Sequence, residues 1–182
     1  MDTKVIENAW HTILHELYQG DNYYKKAPAL IADSYGEIFA GMSQNPAEFF
    51  ASKMPATSQD LVIERNIKYY SMCEHHFLPF FGTIAIAYEP SEYIIGFGSL
   101  LRLVACLSRR PQIQERLTSE IARIIYEELH AKGVMVIATG THMCMHMRGA
   151  RTENAEIVTK SVLGEFSMPI SEILALIQYE TK

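Results

Sequence analysis

Long apolar runs and an excess of positive charge are both missing from this sequence of 182 residues. No apolar stretch reaches the ~20 residues that cross a bilayer, and Met1-Asp2-Thr3-Lys4 lacks the apolar segment of a signal peptide. The formal net charge is −5, which disfavours broad electrostatic attraction to nucleic acid. We therefore expect a cytoplasmic protein that binds neither a membrane nor a nucleic acid.

Cysteine is also scarce, with 3 residues in the whole chain. An odd, low count argues against the disulfide framework of a secreted protein and favours a reducing compartment. Cys106 falls within an apolar helical pattern and is interpreted as a buried thiol. Cys73 and Cys144 instead lie beside histidines, and this pairing is the most informative feature of the sequence.

The chain length suits one domain, 1–182, with its own hydrophobic core. Apolar residues at helical spacing predict helices over 5–17, 28–41, 98–110, 111–132 and 169–177. β-Branched and aromatic residues in partial alternation predict strands over 61–70, 82–88, 134–138 and 157–162. Residues 42–60 are either a loop or a short helix around 47–53. This order predicts an α+β fold, with a helical part over 1–41 and a core over 61–182.

Thiols and imidazoles are concentrated in two segments: Cys73-Glu74-His75-His76 and His142-Met143-Cys144. A catalytic zinc ion takes three protein ligands and keeps a fourth position for water, and Cys73, His76 and Cys144 suit that role. His75 and His142 then stay unligated beside the metal, where they can transfer protons. Bound zinc lowers the pKa of its water to near neutral.

Two other interpretations of these residues stay open. The same side chains could form a closed structural zinc site of the Cys2His2 type, which performs no chemistry. They could also bind no metal, since Cys-x-x-His is a less specific spacing than Cys-x-x-Cys. The density of histidines and charged residues around the two segments favours the catalytic interpretation.

Three blocks resemble the GTP cyclohydrolase I family in order and spacing: Ser71-Met72-Cys73-Glu74-His75-His76-Phe77, Arg109-Arg110-Pro111-Gln112-Ile113-Gln114-Glu115-Arg116-Leu117-Thr118, and Thr141-His142-Met143-Cys144-Met145 with Met147-Arg148-Gly149. The resemblance implies a T-fold (tunnelling fold) core over 61–182, with an antiparallel sheet and helices on one face. It also implies an oligomeric β-barrel, typically in a homodecamer of two pentamers.

The resemblance further implies an activity and a set of residues that carry it. Family members open the guanine imidazole ring of GTP at C8, release formate and form 7,8-dihydroneopterin triphosphate, the entry to folate or tetrahydrobiopterin. Carried over by residue, the zinc ligands are Cys73, His76 and Cys144, and the proton-transfer residues are His75 and His142. Gln114 and Glu115 would contact the guanine edge, and Arg102 and Arg148 the triphosphate. A glutamate at a helix start is also explained by the helix dipole alone.

The departures from the family pattern lie in the triphosphate-binding set. The family's Gly-Leu-Ser-Lys is here Gly96-Phe97-Gly98-Ser99, so the lysine is absent. An arginine and a lysine of the second helix are replaced by Leu30 and Asp33. The candidates to compensate are Lys25, Lys26, Arg151 and Lys160, each of which is otherwise an ordinary surface charge.

These departures leave several functions open. One is an ordinary GTP cyclohydrolase with a rearranged phosphate pocket, and another is the same chemistry on a nucleoside, a monophosphate or a modified guanine. A different class is a non-catalytic regulator that binds a pterin or purine, although retention of both histidines and all three ligands argues against it. A zinc-stabilised structural protein would unfold on chelation, whereas an enzyme would lose activity with most of its fold intact.

Overall fold

The computed structural model describes residues 1–152 and 154–178, so the predicted domain limits at 182 lie outside the described residues. The helices are α1 (Thr3–Tyr18), α2 (Ala27–Ile38), α3 (Phe97–Ser108), α4 (Gln114–Leu129), α5 (Met143–His146) and α6 (Ile170–Gln178). The strands are β1 (Met54–Pro55), β2 (Val62–Cys73), β3 (Pro79–Glu89), β4 (Tyr93–Ile94), β5 (Pro111–Gln112), β6 (Gly133–His142) and β7 (Ile157–Gly164). The predicted α+β class is confirmed.

The predicted helices are present, with two local differences. The segment left open between loop and helix contains two 3-10 turns, Ala40–Ser43 and Pro46–Phe50, and the Asn45 side chain caps the second. The long helix begins at Gln114 rather than Pro111, because Pro111 and Gln112 pair in parallel with the end of β2. Within the described ranges, no helix combines the length and apolarity that a bilayer crossing needs.

The main sheet has five strands in the order β5-β2-β3-β6-β7. All neighbours are antiparallel except β5, which pairs with β2 at Met72 and Cys73. A register shift between Glu64 and Ile67 marks a bulge in β2, where Asn66 adopts a φ of 60°. Strands β2 and β6 extend further than the sequence predicted, so that Cys73 and His142 end strands rather than lie in loops.

Both faces of β6 pack against apolar side chains. On one face, Val134, Val136 and Ala138 of β6 belong to the main core, which includes the apolar stripes of α3 and α4. On the other face, Met135 packs in a smaller cluster with Ile173 of α6. The expectation of helices on one face therefore holds for α3 and α4 but not for α6. The physical reason is that β6 is apolar at consecutive positions and so needs cover on both faces.

A buried carboxylate joins the end of β3 to the segment before α6. Glu89 is 4% exposed, accepts hydrogen bonds from the Ser167 backbone N–H at 2.7 Å and from the Ser167 hydroxyl, and pairs with Lys132 Nζ at 3.1 Å. Burial alone would raise the pKa of Glu89, but the Ser167 hydrogen bonds and the Lys132 charge outweigh it and hold the pKa below its ordinary value.

We expect Glu89→Gln to lower the free energy of unfolding by ~1–3 kcal/mol at neutral pH, because the neutral amide loses the charge that attracts Lys132 and one of the two acceptor oxygens. A carboxyl whose pKa is lower in the folded state stabilises the fold above its unfolded pKa. That contribution is lost as the pH falls through the folded pKa. Urea unfolding should therefore show a difference between wild type and variant that is full at neutral pH and shrinks below about pH 4.

The control is Glu127→Gln, which removes an exposed carboxylate that lies 2.7 Å from Arg123. Exposed pairs of this kind contribute about 0–1 kcal/mol, so this variant should unfold almost like the wild type. A difference for Glu89→Gln that stays constant with pH would contradict the assigned role of its charge.

Candidate functional site

The topology of the sheet brings the two cysteine- and histidine-bearing segments to one edge. Because β3 lies antiparallel between β2 and β6, those two strands run in the same direction. Their last residues, Cys73 and His142, therefore lie at the same end of the sheet, at the carboxyl ends of β2 and β6, where Phe80 of β3 is the register partner of His142. We call this end of the sheet the metal-binding edge. Helix α5 begins directly after His142 and carries Cys144.

At this edge, the ligand atoms of Cys73, His76 and Cys144 all lie within 4.8 Å of one another. The two Sγ atoms are 3.9 Å apart. Two thiolates bound to one tetrahedral zinc ion at the usual bond length would be about 3.8 Å apart, so the spacing fits such an ion. Burial and the neighbouring Cys73 thiol raise the pKa of Cys144, so both disfavour the thiolate. A bound divalent cation would favour the thiolate instead. These three residues can therefore hold a metal and leave a fourth position open.

The turn that carries His76 is stabilised by backbone hydrogen bonds at both of its ends and by an ion pair with α4. The backbone N–H of Cys73 donates to Leu78 O at 2.9 Å, and that of Phe77 donates back to Cys73 O at 2.8 Å. Phe77 adopts a left-handed φ of 53°, which closes the turn. Arg116 of α4 pairs with Glu74 of this turn, which ties the turn to the helix.

His142 is held at two places beside the metal-binding group. Its Nε2 lies 2.8 Å from Gln114 Oε1, and its ring stacks on Phe80 with centroids 4.5 Å apart and an interplanar angle of 13°. Burial lowers the pKa of His142, the Glu115 charge raises it and His146 lowers it, so that the net pKa lies below its ordinary value. A neutral imidazole in this position can accept a proton.

The other predicted proton-transfer residue, His75, is exposed, and its Nδ1 lies 3.8 Å from Cys73 Sγ. Glu115 lies in the first turn of α4 and is close enough to His142 to affect its pKa. Gln114 begins the same helix, but its side chain is 1% exposed and makes its hydrogen bonds inside the chain. The structure thus brings His75, His142 and Glu115 to the metal-binding edge.

The GTP cyclohydrolase I family model matches residues 6–178. A protein of Fusobacterium nucleatum named GTP cyclohydrolase 1 is 48% identical, with 98% of each chain covered. A Carboxydothermus hydrogenoformans protein of the same name is 37% identical over 100% of this chain and 97% of its own. The chain belongs to the GTP cyclohydrolase I family.

Family membership confirms the predicted T-fold class and the predicted enzyme class, a hydrolase of the GTP cyclohydrolase I type. Among solved structures, the apo form of the archaeosine synthase QueF-Like covers 60% of this chain and 99% of its own. Its sequence identity is 14% and its TM-score is 0.49. That likeness is too weak to bear on fold or function.

Arg102 and Arg148, the arginines that the family assigns to the triphosphate, lie in different places. Arg148 follows α5 closely, and its charge offsets part of the rise in the pKa of Cys144 that burial and Cys73 cause. Arg102 lies in the middle of α3, six residues or about 9 Å before Ser108, the last residue of that helix. Its guanidinium donates to Ser99 Oγ at 2.8 Å and lies 5.9 Å from the Phe49 ring. The structure therefore keeps Arg102 in a separate group of side chains.

The replaced family positions have clear surroundings. Ser99 is 3% exposed, so a buried hydroxyl bound to Arg102 stands where the family has a lysine. Leu30 and Asp33 are both exposed on α2. Of the candidate compensating cations, Lys25 lies 3.9 Å from Asp21 and 4.4 Å from the Tyr23 ring centroid. Lys26 is the residue before α2, and Arg151 and Lys160 are exposed.

Sequence reasoning missed three residues that shape the site, Phe80, Tyr69 and Gly140. Phe80 stacks on His142, and the Tyr69 hydroxyl donates to Thr139 O at 3.2 Å. A Cβ at Gly140 would lie 2.3 Å from Gln114 Oε1 and 2.6 Å from the Tyr69 hydroxyl. The available signal was a glycine in a strand, which often marks a close approach. The predicted strand ended at residue 138, before that glycine.

We expect Cys73→Ser and Cys144→Ser to abolish stoichiometric metal binding, because a serine hydroxyl stays protonated where a thiol ionises on binding zinc. The measurement is the metal content of the purified proteins by elemental mass spectrometry. Cys106→Ala is the matched control, since the Cys106 thiol lies 3.3 Å from Arg110 and outside the metal-binding group. Full metal content in both serine variants would contradict the assignment of the ligands.

Proposed function

We propose that this protein is a zinc-dependent GTP cyclohydrolase I. It opens the guanine imidazole ring of GTP at C8, releases formate and forms 7,8-dihydroneopterin triphosphate. The observation that carries the proposal is the meeting of Cys73, His76 and Cys144 at one edge with His75 and His142 beside them. The name of the Fusobacterium nucleatum relative, together with its coverage of nearly the whole chain, supports GTP as the substrate.

The roles of the residues follow from their chemistry. Zinc, when bound by Cys73, His76 and Cys144, supplies a Lewis acid and an acidified water. His75 and His142 transfer protons at the purine ring and at the leaving groups. The Glu115 carboxylate accepts two hydrogen bonds from the amino and ring N–H groups of guanine, which anchors the base.

The phosphate contacts are the part of the proposal that this chain alters most. Charge-assisted contacts contribute roughly 1.5–3 kcal/mol each. Three family cations are replaced by Leu30, Asp33 and Ser99, which by this measure weakens triphosphate binding by several orders of magnitude. A second candidate is therefore the same zinc chemistry on a guanine compound with fewer phosphates or none. The buried Ser99, which is bound to Arg102, supports this candidate, whereas the names of the relatives support GTP.

We also propose that the enzyme is a homo-oligomer, in the family's arrangement a decamer of two pentamers, located in the cytoplasm. In the described part of the chain, β5 pairs with β2 at Met72 and Cys73, and the rest of that β2 edge has no neighbouring strand. Strand β7 forms the opposite edge of the sheet. Edges of this kind pair readily with another chain. In the proposed oligomer, a neighbouring copy would supply its own Arg102 to the substrate.

Formate release by the purified, zinc-loaded protein distinguishes the substrates. We expect release from GTP, with guanosine and GMP assayed in parallel. Release from guanosine or GMP but not from GTP would replace the first candidate by the second. Absence of release from all three would contradict both and would favour a modified purine as substrate or a role in binding alone.

We expect His142→Ala to lower turnover by roughly 10²–10⁴-fold, the range for loss of a proton-transfer residue, while metal content is retained. His15→Ala is the matched control, because His15 is an exposed histidine of α1 whose Nε2 lies 3.9 Å from Asp21. Turnover equal to wild type in His142→Ala, with metal bound, would remove His142 from the reaction.

A further inference from the structure

The buried amide of Gln114 has a fixed orientation. Its Nε2 lies 3.1 Å from Ala138 O and 3.0 Å from Ile157 O, and 3.2 Å from Thr159 Oγ1. A backbone carbonyl can only accept a hydrogen bond, so the amide nitrogen must be the atom that faces these two oxygens. The amide could be placed in two ways, with its nitrogen and oxygen exchanged, and the two carbonyls allow only the placement with the nitrogen toward them. Oε1 consequently points the other way.

Oε1 of Gln114 lies 2.8 Å from Nε2 of His142. An amide oxygen can only accept, so Nε2 of His142 is the donor and carries a proton. This holds for the neutral imidazole and for the imidazolium alike. In the neutral ring, the lone pair is then on Nδ1. Within residues 1–152 and 154–178, the structure gives Nδ1 of His142 no hydrogen-bond partner, so it is free to meet a ligand.

The sequence leaves room for this amide at one position, Gly140. A Cβ there would lie 2.3 Å from Gln114 Oε1, far inside van der Waals contact. The Tyr69 hydroxyl would also be too close to that Cβ, at 2.6 Å. This hydroxyl lies 3.4 Å from Gln114 Oε1 and donates to Thr139 O. The amide, the phenol and the missing side chain together form one packed polar arrangement around the histidine.

We propose that Gln114 is a positioning residue whose amide oxygen holds the His142 ring by Nε2 and leaves Nδ1 available to the substrate. This inference rests on the proposed function, in which His142 transfers protons. In that step the lone pair of Nδ1 takes up one proton from the reacting water while Nε2 keeps its own, and Nδ1 later releases that proton to a nitrogen of the substrate. Gln114 itself gains and loses nothing.

The proposal gives different roles to Gln114 and Glu115, two adjacent residues that the family resemblance assigns together to the guanine edge. The Gln114 amide is occupied inside the chain by Ala138, Ile157 and His142. Glu115 has a different environment at the start of α4, where its charge acts on His142. Loss of Gln114 should therefore lower kcat, whereas loss of the Glu115 charge should raise KM.

The kinetic test compares Gln114→Met with Glu115→Gln on the substrate that the wild type turns over. We expect kcat of Gln114→Met to fall on the order of 10–100-fold with KM nearly unchanged, as for other supporting hydrogen-bond partners. Gly140→Ala should give the same pattern, because it displaces the amide while every polar group is retained. Gly36→Ala is its control, since a Cβ there meets no atom within 4 Å. Wild-type kcat in both Gln114→Met and Gly140→Ala would overturn the proposal.

A second measurement separates this proposal from the proposed function. Solid-state ¹⁵N spectra of the zinc-loaded, histidine-labelled protein report which ring nitrogen carries the proton, and His142→Asn identifies the signals. We expect Nε2–H with bare Nδ1 in the wild type and a mixture of tautomers in Gly140→Ala. Nδ1–H in the wild type would overturn the role of Gln114 even if formate is released. Absence of formate release from every guanine compound would overturn the proposed function and leave the spectral result to stand alone.

Discussion

The antiparallel placement of β3 between β2 and β6 is the constraint on which the site depends. It makes β2 and β6 run in the same direction, so that Cys73 and His142 arrive at one edge although they are distant in sequence. The short turn to β3 then adds His76, and α5 adds Cys144. The metal-binding group is therefore a consequence of strand order and register, and a one-residue slip of β6 would turn His142 to the opposite face.

Polar satisfaction links this edge to the core. The side chain of Gln114 is buried among strands, where an unpaired amide would cost free energy, and the carbonyls of Ala138 and Ile157 supply its acceptors. Those carbonyls belong to β6 and β7, so the pairing of the two strands sets the position of the amide oxygen and hence of His142. The hydrogen bonds that satisfy the buried Gln114 amide thus also set the position of the oxygen that contacts His142 Nε2.

Much of this was predictable from the sequence, and the exceptions have physical causes. Cysteine beside histidine is a rare pattern with few uses, so the three candidate metal ligands, which the structure brings within 4.8 Å of one another, were evident from residue type. The helical spacing of α4 indicated its buried stripe. Spacing alone does not give the direction of the first side chain of a helix, and Gln114 turns inward because β6 and β7 present carbonyls to it. We expected helices on one face only, and the apolar run of β6 does not by itself show that α6 covers the second face.

Under the proposed function, the position of Arg102 connects catalysis to assembly. Cys73 and its fellow ligands lie at one edge of the sheet, whereas Arg102 lies in the middle of α3 with Ser99 and Phe49. We propose that a substrate that reaches both groups lies between two chains. The buried Ser99 restrains the Arg102 guanidinium inside its own chain, where the family's lysine would add a second positive charge. The affinity for phosphate would then depend on how closely two copies approach, which links substrate choice to the packing between subunits rather than to the metal-binding edge.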